Sequence, residues 1–151
     1  MEINRPDTLA EMGAAFASYE AALVSNDLEA LDRFFWPSSS TVRYGAGENL
    51  VGIEAIRRFR AARSASGLAR SLRNTVITTF GRDHATAMTE FIRAAFEYDG
   101  QLTRVGRQSQ TWVRFDEGWR VVAAHVSVLA LPVPEPLSSP ETKPAPIQPG
   151  G

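Results

Sequence analysis

Residues 101–130 read QLTRVGRQSQTWVRFDEGWRVVAAHVSVLA, and their alternation decides the fold. In a strand, side chains two apart share a face. Gln108, Gln110, Trp112 and Arg114 therefore form one row, and Arg107, Ser109, Thr111, Val113 and Phe115 the other. Asp116-Glu117-Gly118 between the two runs is hairpin chemistry. The same counting puts Trp119, Val121, Ala123, His125, Ser127 and Leu129 together in the last run. Upstream, period two extends back through strands expected at 85–97 and 70–80, with turns at Gly81-Arg82-Asp83 and Asp99-Gly100. The C-terminal half reads as an antiparallel meander.

The N-terminal half has helical periodicity instead. Leu9, Met12, Phe16, Tyr19 and Leu23 recur at spacings of three and four, so a helix over 8–24 presents one apolar stripe. Thr8 with Glu11 has capping-box spacing. A second short helix follows Asn26-Asp27 and ends at Trp36-Pro37. A brief strand at 41–45, a Gly-rich turn and a third helix over 53–65 complete this half. Three helices followed by a long sheet define an α+β domain. A strongly curved antiparallel sheet wrapped against the first helix would enclose a pocket with Tyr19 facing it, an arrangement that resembles the cone-shaped fold of ketosteroid isomerase and nuclear transport factor 2. Residues 1–130 are read as this single domain. Residues 131–151 hold seven of the nine prolines and read as an extended or disordered tail.

Composition narrows the function. With no cysteine, disulfides, thiolate metal sites and cysteine nucleophiles are excluded. Two histidines make a protein-only catalytic zinc site a poor expectation, since such sites take three protein ligands. Residues 1–130 balance fifteen basic against fifteen acidic side chains, which argues against a nucleic-acid or membrane-surface partner. No apolar run approaches the length of a membrane span, and the expected location is the cytoplasm.

One local charge imbalance stands out. Residues 41–73 carry seven arginines against only Glu48 and Glu54. Arginine keeps its charge and presents a planar fork matched to carboxylates. Arg57, Arg58, Arg60 and Arg63 read as a solvated helix face. Arg43 lies inside a short strand before a Gly-rich turn and is a candidate carboxylate clamp; Arg70, at the start of the sheet, is either a second clamp or an edge charge. Tyr19 is either a core residue or a proton donor in a dry pocket. His125, with Ser127 beside it, is either structural or a ligand contact. Gln110 belongs either to the pocket or to a dimer surface formed with Gln108, Trp112 and Arg114. Glu90 is a candidate buried base for isomerase chemistry on an apolar ligand, against an ordinary surface glutamate.

Three blocks carry a family resemblance: Thr41-Val42-Arg43-Tyr44-Gly45 through Gly47-Glu48-Asn49 to Gly52-Ile53 and Phe59-Arg60; Gly106-Arg107-Gln108-Ser109-Gln110-Thr111-Trp112; and Gly118-Trp119 through Val126-Ser127. Together they resemble the AtzH-like family, which includes HpxZ of oxalurate catabolism, within the SnoaL, ketosteroid isomerase and nuclear transport factor 2-like superfamily. The resemblance implies a homodimeric cone-fold protein of ureido-compound breakdown. It implies a decarboxylating amidohydrolase converting 1,3-dicarboxyurea to allophanate in cyanuric acid degradation, with catalytic roles falling on Tyr19 and Arg43. Substrate contacts are then expected from Arg70, Gln110, His125 and Ser127, with water and no metal or organic cofactor. The alternative is a non-catalytic accessory protein linked to a ureido (oxalurate) catabolic amidase.

Overall fold

The computed structural model describes residues 1–132. The tail expected from residue 131 therefore lies, from residue 133 onward, outside the described residues. The chain begins with helix α1, Pro6–Val24, followed by α2, Leu28–Phe34. The α1 start differs from the capping-box expectation. Pro6 occupies the first turn behind Arg5 with no side-chain cap, because its fixed φ already suits a helix that needs no N–H there. Asp27 caps α2 by accepting from the Ala30 amide at 3.2 Å.

Strands β1, Val42–Tyr44, and β2, Asn49–Val51, form a short hairpin that leads into α3, Ile53–Ala62. Four further strands follow: β3 at Ser71–Phe80, β4 at His84–Ile92, and a two-residue pair, β5 at Glu97–Tyr98 with β6 at Gln101–Leu102. The long β7, Arg104–Phe115, and β8, Gly118–Ala130, complete the sheet. The expected strand over 85–97 thus breaks at Arg93 into a single 3-10 turn at Ala94–Phe96. The main sheet runs β2-β1-β8-β7-β4-β3. All its pairings are antiparallel except β1 on β8, which is parallel. The architecture is the expected α+β cone, three helices packed on a curved sheet.

Why the sheet closes over α1 follows from the pattern. Of the stripe read from the sequence, Met12, Phe16, Tyr19 and Leu23 are buried and meet Leu31, Phe35, Ile56, Trp112 and Val121, whereas Leu9 is half-buried. Each such side chain removed from water contributes roughly 1.5–3 kcal/mol. The inner face of the sheet carries Ala85, Ala87 and Phe91 on β4, and Gln108, Gln110 and Trp112 on β7, all buried. That row was weighed above as a dimer surface. Its Gln108, Gln110 and Trp112 lie instead against the helices, with Trp112 at 0% exposure, and are closed to a partner, while Arg114 at the strand's end is half-buried.

One irregularity reverses the reading of β8. Thr111 pairs with Ala123, but the next residue, Trp112, pairs with Val121, so Val122 is an extra residue. A bulge of this kind shifts every later side chain to the other face. Trp119 and Val121 point inward; beyond the bulge Ala124 and Val126 do, whereas Ala123 and His125 are turned out.

Gly106 sits opposite Phe91 in the β4–β7 ladder, and a Cβ there would fall onto the Phe91 ring. Gly106→Ala is therefore expected to lower stability by about 1–3 kcal/mol through overpacking. A urea unfolding midpoint unchanged by the substitution would refute that contact.

Candidate functional site

Between α1, α3 and the inner face of the sheet lies a narrow cavity of about 40 Å³. Its walls carry Tyr19 from α1, Arg43 from β1, and Arg60 and Arg63 from α3 and its end. Arg70 precedes β3, Arg93 follows β4, and Gln108 and Gln110 belong to β7. Four residues singled out in the sequence, Tyr19, Arg43, Arg70 and Gln110, are thereby brought together.

The other two are not. The bulge at Val122 turns His125 to the opposite face, where its ring packs edge-on to Tyr44 at 5.9 Å. Ser127 shares that face and accepts from Arg107 Nε at 3.1 Å. Neither lines the cavity, so the substrate contacts expected from them are corrected by the change in strand parity. Glu90 is likewise outside, held by Arg73 Nε at 3.1 Å. No carboxylate lines the cavity among the described residues, so Glu90 is not positioned there as a base.

Arg60, Arg63 and Arg93 are the cavity residues that the sequence reading missed. For two of them the signal is helical spacing. Ile53, Ile56, Arg60 and Arg63 fall at steps of three and four, the spacing of a single helix face. Arg60 thus continues a buried stripe, not a solvated one, with its side chain 3% exposed. It reaches Asp32 at 3.4 Å and lies over the Phe35 ring at 4.1 Å.

The remaining side chains are held by identifiable partners. Tyr19 is fenced by Phe34, Phe35 and Trp112 at ring separations of 6.1, 6.2 and 5.8 Å. Arg43 donates to Glu48 Oε1 at 2.9 Å, and its guanidinium sits 5.4 Å from the Phe59 ring. Glu48 folds back over Gly45, leaving no room for a Cβ there. Arg70 is buried and gives both Nε and Nη2 to Glu20, at 2.8 and 2.6 Å. Gln110 Oε1 accepts from Trp112 Nε1 at 3.0 Å, which leaves the Gln110 amide NH2 as a donor.

Five arginines thus line one small space, and three of them are paired with carboxylates outside its lining, Arg70 with Glu20, Arg43 with Glu48 and Arg60 with Asp32. Burial pulls Arg60 below the ordinary arginine range, with the Arg43 charge adding to the fall and Tyr19 opposing it. Burial and then Arg43 lower Arg63, and burial and then Arg70 lower Arg93. Arginine nevertheless stays protonated. Burial is thus the leading cause of all three shifts, with neighbouring positive charge adding to it.

A sequence profile of the AtzH-like family matches residues 1–131. A crystal structure of a protein of unknown function from Pectobacterium atrosepticum is 57% identical over 85% of this chain and 95% of its own, with a TM-score of 0.79. A cystatin-like fold protein from Burkholderia xenovorans is 48% identical over 87% of this chain and 99% of its own, with a TM-score of 0.80. A nuclear transport factor 2-like protein from Salmonella enterica serovar Typhimurium, 22% identical over 86% of this chain and 97% of its own, shares the fold at a TM-score of 0.64. No curated protein matches the sequence significantly. Among the described residues no helix is long and apolar enough to cross a membrane. By the extent of the profile match and the identity to these structures, the chain belongs to the AtzH-like family.

Proposed function

We propose that the protein is a decarboxylating amidohydrolase acting on a small N-carboxylated urea, 1,3-dicarboxyurea, and releasing allophanate. The observation that carries this reading is a phenol and five arginines around one small cavity without a lining carboxylate. Such a lining favours a short, planar, highly charged anion over an apolar ligand.

In this reading Arg43 holds one carboxylate of the substrate by its free donors, with Glu48 setting the orientation of the fork. Cleavage of the bond between that carboxylate and the urea nitrogen leaves an electron pair on the nitrogen. The Tyr19 hydroxyl donates a proton there, water enters as the carboxyl group departs as bicarbonate, and the proton that water gives up returns to Tyr19. The sum balances: dicarboxyurea dianion plus water gives allophanate plus bicarbonate. A donor aimed at charge that develops only in the transition state acts on kcat, not on ground-state binding. The Gln110 amide NH2 supplies a further donor to a urea oxygen. Arg70 lines the same cavity, but its fork is already filled by Glu20.

The test is incubation of the purified protein with freshly prepared dicarboxyurea, following allophanate and bicarbonate by carbon-13 NMR. Catalysed release supports the reading; decay no faster than in buffer contradicts it and favours the accessory role beside an amidase. A link to an amidase belongs to the hydrolase reading as well, because allophanate retains carbon–nitrogen bonds that a further hydrolysis must open.

A homodimer is also part of the reading. The surface left for it is the sheet face turned away from α1, where Tyr44, Val76 and Met88 are exposed. Met88→Asp, which puts a charge on that face, is expected to turn a dimer into a monomer in sedimentation velocity. A dimer that survives the substitution would place the interface elsewhere.

A further inference from the structure

Two groups in the cavity wall lack partners. Arg63 Nε and Nη2 are buried without a hydrogen bond among the described residues, and so is Gln108 Nε2. A charged donor left unsatisfied away from water is costly, and native structures keep few of them. The contrast with Arg70 is direct. Arg70 presents its Nε–Nη2 edge to both oxygens of Glu20, the side-on geometry by which a guanidinium grips a carboxylate. Arg63 presents the same edge to no protein acceptor. Gln108, only 4% exposed, has its Oε1 taken by Arg70 Nη2 at 3.1 Å, which fixes the amide with its NH2 unengaged.

Resting on the reading of this cavity as a small-anion site, we infer that Arg63 and Gln108 form a second carboxylate anchor, distinct from the Arg43 clamp. The cavity then selects ligands with a carboxylate at each end of a short chain. Arg70 is the positioning residue of this anchor, orienting Gln108 while Glu20 neutralises its charge. The anchor explains why the arginine excess persists in a space so small: one carboxylate satisfies the Arg43 side and a second the Arg63 side.

Glutarate has the same number of bonds between its carboxylates as dicarboxyurea and cannot react, and valerate is its singly charged counterpart. Isothermal titration of the unaltered protein should show glutarate binding at least about tenfold tighter than valerate, the gain expected of a second charge-assisted contact. Arg63→Met should abolish that preference while changing valerate affinity less than about threefold, since Arg43 is untouched. Arg63→Gln, shorter but still polar, gives the same comparison should the methionine variant melt early. Equal affinity for the two acids in the unaltered protein, or a glutarate preference that persists in both variants, overturns the anchor.

Dicarboxyurea turnover separates this from the hydrolase reading. Catalysis with a KM unmoved by Arg63→Met removes the anchor and leaves the hydrolase. Glutarate binding that depends on Arg63, in a protein without turnover, removes the hydrolase and leaves the anchor.

Discussion

Arg43→Ala is expected to leave a folded protein whose kcat/KM for dicarboxyurea falls about a thousandfold, a loss of about 4 kcal/mol. Removing one member of a buried, hydrogen-bonded charge pair generally costs this much, because its partner stays desolvated and unmatched. Here there are two partners. The substrate carboxylate loses its fork, and Glu48, freed from its 2.9 Å contact, places an uncompensated negative charge beside the cavity. The double variant Arg43→Ala with Glu48→Gln should therefore recover part of the loss by removing that repulsion. Arg43→Lys should not restore full activity, because an ammonium cannot reproduce a planar two-point grip. Stability should fall only modestly, because Glu48 loses its partner but is partly exposed and can turn towards water. A variant that keeps full turnover would remove Arg43 from the chemistry.

Tyr19→Phe is the second large effect. The substitution deletes one oxygen and keeps the ring, so the packing against Phe34, Phe35 and Trp112 survives and the melting temperature should hold. Loss of a single donor aimed at transition-state charge is expected to lower kcat by about 10²–10³-fold. KM should move little, because the hydroxyl acts on a nitrogen that becomes basic only as its bond breaks. A change confined to KM would make Tyr19 a substrate-binding residue instead of a proton donor.

Much of this site is legible in the sequence. The α1 stripe set Tyr19 among Met12, Phe16 and Leu23, and all four are buried as the spacing requires. The alternation of β7 correctly grouped Gln108 and Gln110 with Trp112. What it left open was which face was interior, because amides beside an aromatic suit either a pocket or an interface.

The misreadings have two physical causes. A bulge consumes one residue without a compositional mark: nothing distinguishes Val122 from its neighbours, yet it sends His125 and Ser127 to the outer face. The second cause is the habit of assigning arginine to solvent. Arg60 and Arg63 continue the Ile53–Ile56 stripe of α3, and in that position periodicity outweighs polarity. Arg93 carried a signal of a different kind: in extended backbone two residues past Phe91, it continues the inner row of Ala85, Ala87 and Phe91 along β4.

The central claim is that a short dianion sits in this arginine-lined space between Tyr19 and the clamp at Arg43. A crystal structure of the protein soaked with glutarate tests it most directly. The account predicts one carboxylate within hydrogen-bond distance of Arg43, the other on the Nε–Nη2 edge of Arg63, and the chain between them beside the Tyr19 hydroxyl. Glutarate bound only on the outer face near His125, or an empty cavity at a concentration that saturates binding in solution, would contradict it.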